Sequence, residues 1–137
     1  MSNSTSKSIS APKGPLGRKL TVLVVDDEEL IRYVTQELLT CLGYDSVTAS
    51  SGEEAVEKIR AGLLPDLILL DIVMAGMGGV EAFRSIRKMA PSIPVLLSSG
   101  FTDPEAAATL RNEGLNGVIS KPYRMESLRA RIREVLG

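Results

Sequence analysis

Three aspartates in this sequence stand directly after runs of aliphatic residues. Asp71 follows residues 67–70, and Asp26 with Asp27 follows residues 20–25. Runs this apolar are typical of strands buried on both faces of a parallel sheet, and open α/β sheets place their sites at the carboxyl ends of such strands. Clustered carboxylates repel one another unless a cation neutralises them, and their hard oxygens suit Mg²⁺. The sequence therefore predicts a metal or phosphoryl-transfer site.

The five strands and five helices that would position these acids alternate along the chain. Parallel neighbours need helical, right-handed crossovers, so the alternation predicts an α/β fold with one doubly wound five-stranded parallel sheet. Strands one, three and four are the most continuously apolar and should be central, which favours the order 2-1-3-4-5. In that order strands one and three are neighbours, and Asp26, Asp27 and Asp71 converge.

Local signals set the expected bounds of these elements. The pattern predicts a first helix over residues 28–42, an edge strand over 44–49, and a fourth strand over 93–97 that leads into the small residues Ser98, Ser99 and Gly100. The apolar residues at helical spacing in the first helix are Leu30, Ile31, Val34, Leu38 and Leu39. Ser51 and Glu54 have capping-box spacing before the second helix. Asp103 is expected to cap the fourth helix, and residues 117–120 form the fifth strand.

Composition restricts the class of protein. The chain has 137 residues, 44% of them hydrophobic, which is enough for one compact domain with a core. Residues 1–18 are rich in Ser, Lys, Gly and Pro, which predicts a disordered tail or linker before a domain over 19–137. A net charge of −1 disfavours direct nucleic-acid or membrane-surface binding. Without a membrane-span or signal pattern, we expect a cytoplasmic protein.

Cysteine and histidine usage excludes further chemistry. Cys41 is the single cysteine and there is no histidine, so the chain has no intrachain disulfide, no Cys/His zinc set and no histidine acid–base catalysis. Cys41 stands near the end of the first predicted helix, where we expect it to be a small core residue without a function.

Four strand ends carry polar motifs, and as an ordered set these motifs are specific. They are Asp26-Asp27, Asp71, Ser99-Gly100 and Lys121-Pro122. From about residue 20 to residue 137 the chain resembles a receiver (CheY-like) domain of a two-component response regulator, which has a flavodoxin-like fold. The resemblance implies a signalling phosphoacceptor that catalyses only its own phosphorylation and slow dephosphorylation.

The resemblance also implies a role for each motif. Asp71 would take a phosphoryl group from a phosphohistidine of a histidine kinase or histidine phosphotransfer domain, and then the domain would switch conformation. Asp26 and Asp27 would hold Mg²⁺ with Asp71 and the backbone carbonyl of Val73. Lys121 and Ser99 would contact the phosphoryl oxygens, and the Lys121-Pro122 peptide would be cis.

Two departures from the family pattern stand out. The family commonly has an aromatic residue where Val118 stands, three before the lysine, and Phe101 is the nearest substitute. Ala75 and Gly78 replace residues that are commonly proline and acidic or polar, which predicts a more mobile loop after Asp71.

Two other classes of protein compete with this interpretation. A haloacid dehalogenase-like phosphatase also uses an aspartate after a strand, but it needs a second acid two residues further on, where this chain has Val73. A flavodoxin-like FMN-binding module needs a phosphate-cradling loop after strand one, where the acidic residues 26–29 would repel phosphate.

The biological context stays open between a single-domain regulator and the carboxyl-terminal receiver of a hybrid histidine kinase. The Ser-Ser-Gly-Phe and Lys-Pro-Tyr sequences favour the second. The face formed by the fourth helix, fifth strand and last helix is the expected signalling surface, with self-association as one outcome.

Overall fold

The computed structural model describes residues 13–14, 17–74, 76, 78–99 and 104–137, with the side chains of 104 and 106 excepted. Five strands lie in this part of the chain: β1 (Thr21–Val25), β2 (Asp45–Ala49), β3 (Leu67–Asp71), β4 (Val95–Ser99) and β5 (Gly117–Ser120). Five helices alternate with them: α1 (Glu29–Leu42), α2 (Gly52–Arg60), α3 (Gly79–Met89), α4 (Pro104–Asn112) and α5 (Met125–Leu136).

The strands form one parallel sheet in the order β2-β1-β3-β4-β5, which confirms the predicted fold class and strand order. β1 and β3 are neighbours, and Val25 is paired with Leu70. Asp26 and Asp71 each come one residue later, so they lie side by side at the carboxyl edge of the sheet. The topology thus brings together acids that are 45 positions apart in the sequence.

Two apolar clusters cover the two faces of the sheet, because successive strand residues point to opposite sides. Leu23, Ile68 and Leu97 belong to the cluster that also contains Phe83 and Ile86 of α3. On the other face, Val24, Leu69 and Leu96 pack with Leu39 of α1 and Leu128 of α5. Each fully buried side chain of this size contributes roughly 1.5–3 kcal/mol, so the central strands are the main source of stability.

β4 begins and ends two residues later than the sequence predicted. Its bounds are Val95–Ser99, whereas the apolar pattern predicted residues 93–97. Ser98 is paired with Asp71 of β3 and Ile119 of β5, and Ser99 is paired with Ser120 of β5, so both serines are strand residues. The predicted strand ended two residues too early because the burial of Ser98 and Ser99 does not show in the hydrophobicity of the segment.

The buried face of α1 also differs from the prediction. Thr35, Leu39 and Leu42 are buried, while Leu30 is 70% and Val34 is 43% exposed. Cys41 is exposed, so its assignment to the core was wrong. The helix is rotated so that Leu39 and Leu42 pack in the cluster on the sheet. Thr35 is buried as well, and its hydroxyl is satisfied by donating to the carbonyl of Ile31 at 2.6 Å.

The ends of two helices follow their local signals. Gly43 adopts φ 95°, a left-handed conformation that glycine reaches without strain, and ends α1. Ser51 caps α2 by accepting the N–H of Glu54 at 3.0 Å, as its spacing predicted. The Glu54 carboxylate accepts from the N–H and hydroxyl of Ser50 instead of closing the box on Ser51.

Several predictions fall outside the described residues: those on Ala75, Gly100, Phe101 and Asp103. Among the helices of the described part, none combines the length and apolar character that crossing a membrane requires.

Candidate functional site

Asp26 lies at the junction of β1 and α1. It is 1% exposed, and its Oδ1 accepts the N–H of Glu28 at 2.9 Å. The guanidinium of Arg32 donates to the Asp26 carbonyl at 2.8 Å, so the start of α1 holds both the backbone and the carboxylate of this residue. Asp27, one residue later, is exposed at the mouth of the site.

Asp71 is the last residue of β3 and is 4% exposed. Its Oδ1 accepts the backbone N–H of Val73 at 3.3 Å. Val73 itself is 64% exposed, so the chain turns outward directly after the acid. A nearly buried carboxylate is thus followed within two residues by an exposed side chain.

The predicted cluster forms in the structure. One carboxylate oxygen each from Asp26, Asp27 and Asp71 lies within 4.8 Å of the others. Lys121 brings its Nζ to 2.7 Å from Asp26 Oδ2 and 3.3 Å from Asp71 Oδ2. The donor set is all oxygen and carries more negative charge than one lysine neutralises, which fits a hard divalent cation such as Mg²⁺.

Lys121 is brought to the acids by the connection between β5 and α5. Its backbone N–H donates to the carbonyl of Ser99 at 2.8 Å, and the Lys121-Pro122 peptide is cis. Ser99 is 7% exposed at the end of β4. The described residues of the four sequence motifs therefore lie at one edge of the sheet.

Burial and the neighbouring charges shift the pKa values of Asp71 and Lys121. Burial, and then the negative charge of Asp26, raise the pKa of Asp71, and Lys121 offsets this only in part. Burial alone would lower the pKa of Lys121, but the hydrogen bonds and charges of Asp26 and Asp71 outweigh it and the pKa is raised. A second cation would relieve the repulsion between the carboxylates.

Gly79 is a site residue that the sequence did not single out. It begins α3, its N–H donates to the carbonyl of Ile72 at 3.1 Å, and a Cβ at this position would lie 2.4 Å from the carbonyl oxygen of Asp71. Only glycine allows α3 to approach the end of β3 this closely. The glycine-rich loop was visible in the sequence, but which glycine makes the contact depends on the tertiary structure.

The family comparison decides the class of this site. The sequence matches the response regulator receiver domain family over residues 22–133. The chain belongs to this family. A receiver domain is a signalling phosphoacceptor of two-component systems and works with histidine kinases, so the acidic pocket is that of a phosphorylation site. The family match removes the haloacid dehalogenase and FMN-binding alternatives.

The relatives of this receiver domain include proteins of different kinds. It is 38% identical over 109 residues to the autoinducer 1 sensor kinase/phosphatase LuxN of Vibrio harveyi, covering 80% of this chain and 13% of that protein. It is 36% identical over 121 residues to the probable transcriptional regulator ycf27 of Guillardia theta, covering 88% and 47%. The chain thus spans less than half the length of these curated relatives.

Solved structures agree with the fold. The chemotaxis protein CheY4 of Vibrio cholerae superposes with a TM-score of 0.80 at 31% identity, covering 86% of this chain and 99% of that one. A CheY-like receiver domain of Methanospirillum hungatei JF-1 superposes with a TM-score of 0.81 at 28% identity, covering 86% and 94%.

Proposed function

We propose that Asp71 is the phosphoacceptor of this receiver domain and that the donor is a phosphohistidine of a histidine kinase or a histidine phosphotransfer domain. The observation that carries the proposal is the convergence of three carboxylate oxygens within 4.8 Å, next to one lysine ammonium. Asp71 is the acid that both ends a central strand and lies 3.3 Å from Lys121 Nζ, where a transferred group could be contacted by the lysine.

The transfer is a displacement at phosphorus. A carboxylate oxygen of Asp71 forms the new P–O bond while the P–N bond to the donor imidazole breaks, and the imidazole leaves with the electron pair and takes up a proton. Lys121 stabilises the charge on the phosphoryl oxygens, and the Ser99 hydroxyl is proposed to donate to one of them. Asp26, Asp27, Asp71 and the carbonyl of Val73 would hold Mg²⁺, which when bound offsets the charge of the acids and of the phosphoryl group.

The rim of the site supports docking of a protein donor. Leu30, Tyr33 and Val34 are exposed on the first two turns of α1, and Val73 is exposed directly after Asp71. A phosphohistidine must come within bonding distance of a nearly buried carboxylate, so its protein has to cover this rim. Exposed apolar side chains at such a place favour a protein partner. Kinases make phosphohistidine from ATP, which supports a cytoplasmic location for this domain.

Relatives, the start of β1 and the net charge bear on the kind of protein that contains this domain. The sensor kinase/phosphatase among the relatives supports the hybrid-kinase receiver as one context for this domain. The transcriptional regulators, which are about twice as long as this chain, support a receiver within a longer regulator. A boundary near residue 19 is supported by the start of β1 at Thr21. The near-neutral charge supports a partner other than nucleic acid.

The proposed signalling and self-association surface includes α4, β5 and α5. Its charged residues are Arg111, Glu113, Arg129, Arg133 and Glu134. Glu113 makes paired contacts of 2.8 and 2.9 Å with Arg84 of α3, so it is engaged within the domain. Sedimentation with and without phosphorylation tests self-association, and a monomer in both states would contradict it.

A labelling experiment tests the phosphoacceptor directly. Incubation with acetyl phosphate and Mg²⁺ should add one phosphoryl group, detected by intact-protein mass, and EDTA should prevent the addition. Asp71→Asn should abolish it. Asp66→Asn is the matched control, because Asp66 flanks the other end of β3 and should leave labelling intact. Equal labelling of the Asp71→Asn protein would show that another residue is the acceptor.

A further inference from the structure

Tyr123 connects the lysine loop to the end of β4. It lies two residues after Lys121 and two before the start of α5, and its ring packs against the apolar cluster between the sheet, α1 and α5. Its hydroxyl donates to Ser98 Oγ at 2.5 Å. Burial is the main cause that raises the pKa of Tyr123 to about 12, so the hydroxyl keeps its proton at neutral pH.

Ser98 is bonded to the phosphoacceptor strand. It is 1% exposed and stands opposite Asp71 in the β3–β4 register. Its carbonyl accepts the N–H of Ile72, the residue after Asp71, at 3.0 Å. The end of β4 therefore contacts the strand that carries Asp71 through backbone bonds and the connection that carries Lys121 through a side-chain bond.

We propose that Tyr123 is a positioning residue for phosphoryl transfer, holding Lys121 in place beside Asp71 through its hydrogen bond to Ser98. A lysine side chain is long and flexible, so the position of its ammonium depends on how firmly its backbone is held. The backbone of Lys121 is held by its own N–H, which donates to the carbonyl of Ser99. Tyr123 supplies a second anchor on the other side of Pro122, and together they fix the loop. This inference rests on the proposed roles of Asp71 and Lys121.

Val118 stands where the family commonly has an aromatic residue, and in this chain the aromatic residue that contacts the end of β4 is Tyr123. Val118 is partly buried in the cluster that contains α3, on one face of the sheet. Tyr123 packs in the cluster on the opposite face. The aromatic contact with the end of β4 is thus made from the α5 side, by a residue that also offers a hydroxyl.

Hydroxyl-deletion variants test the proposal. Tyr123→Phe removes one oxygen and should slow labelling of the full chain by acetyl phosphate about fivefold to tenfold, because a misplaced cation loses contact with the phosphoryl oxygens. Ser98→Ala should slow it by a similar factor. The double variant should be no slower than the slower single variant, since both changes remove the same bond.

Tyr44→Phe is the matched control. Tyr44 is buried in the same cluster as Tyr123, but its hydroxyl has no hydrogen-bond partner among the described residues. The same chemical change there should leave the labelling rate at the wild-type value. Slowing of Tyr44→Phe by the factor seen in Tyr123→Phe would show a general response of the core and would overturn the proposal.

Two further measurements separate positioning from a structural role. In a Lys121→Met background, Tyr123→Phe should cause no additional slowing, because the lysine that it positions is gone. The affinity of Tyr123→Phe for Mg²⁺ should stay at the wild-type value, because the carboxylates do not move. A wild-type labelling rate in Tyr123→Phe, or weakened Mg²⁺ binding, would overturn the proposal. Labelling that survives Asp71→Asn would instead refute the role of Asp71, so the two failures are distinguishable.

Discussion

The two ends of β3 each carry an aspartate, and their surroundings are opposite. At the amino end Asp66 has an arginine of its own: Arg18 contacts both carboxylate oxygens at 3.0 Å, and Thr21 donates its N–H at 2.8 Å. At the carboxyl end Asp71 shares Lys121 with Asp26. The hydrogen bond from Arg18 is the main cause that lowers the pKa of Asp66, whereas burial raises that of Asp71.

The difference shows how one strand serves both stability and function. Asp66 has one arginine and one backbone N–H to itself, so its charge is compensated without a metal ion. Asp71 lies among acids that exceed the local positive charge, which costs folding free energy in the absence of a cation but favours binding one. Binding of a cation should therefore change the stability of the protein more at the carboxyl end of β3 than at its amino end.

The largest expected effect on stability comes from adding a methyl group next to the carboxyl end of β3. Gly79→Ala would place a Cβ 2.4 Å from the Asp71 carbonyl oxygen, so α3 or the strand must shift. We expect the free energy of unfolding in urea to fall by about 2 kcal/mol. Gly78→Ala is the matched control, because a Cβ there meets nothing within 4 Å, and it should change stability by less than about 0.5 kcal/mol. Equal stability of the two variants would contradict the close approach.

The second effect is the stabilisation by Mg²⁺. At about tenfold the dissociation constant, Mg²⁺ should add about 1.4 kcal/mol to the free energy of unfolding of the wild-type protein. Asp66→Asn should gain the same increment. Asp71→Asn and Asp27→Ala should gain less at that concentration, because each loses an oxygen ligand. Thermal or urea unfolding with Mg²⁺ and with EDTA measures the increment, and a full gain in Asp71→Asn would place the ion elsewhere.

A third effect compares charge removal at the two ends without metal. In EDTA, Asp66→Asn should lower the free energy of unfolding by about 1 kcal/mol, because the charged acceptor of the Thr21 N–H is lost. Asp71→Asn should raise it, since Asp26 then has Lys121 to itself at 2.7 Å. Urea unfolding of both variants at pH 7 gives the signs. If both variants lose stability, the carboxyl end is not the electrostatically strained one.

The smallest effect is in the pH dependence of the metal-free protein. The pKa of Asp66 is lowered, so its contribution is present above the unfolded value of about 3.9 and is lost as pH falls through the folded value. The pKa of Asp71 is raised, so its contribution is present below about 3.9 and is lost as pH rises through the folded value. The advantage of Asp71→Asn over wild type should therefore grow as pH rises above about 4, and unfolding in EDTA across pH 4–8 measures it. A constant difference would contradict the raised pKa of Asp71.

The sequence by itself predicted the architecture and the main site motifs of this protein. The apolar runs before Asp26 and Asp71 identified the central strands, and the alternation of strands and helices predicted the order that the sheet adopts. These features follow from local periodicity and from the rules of parallel crossovers, which need no knowledge of long-range contacts. The acid cluster then followed, because the carboxyl ends of neighbouring parallel strands meet at one edge.

Only the tertiary structure decided which side chains meet across the elements. The rotation of α1 left Leu30 and Cys41 exposed. Pairing with neighbouring strands made Ser98 and Ser99 residues of β4. The contact of Gly79 with Asp71 and the bond of Tyr123 to Ser98 join residues from different elements. Helix rotation, close approach and side-chain pairing depend on how whole faces pack, and hydrophobic periodicity within a segment does not contain that information.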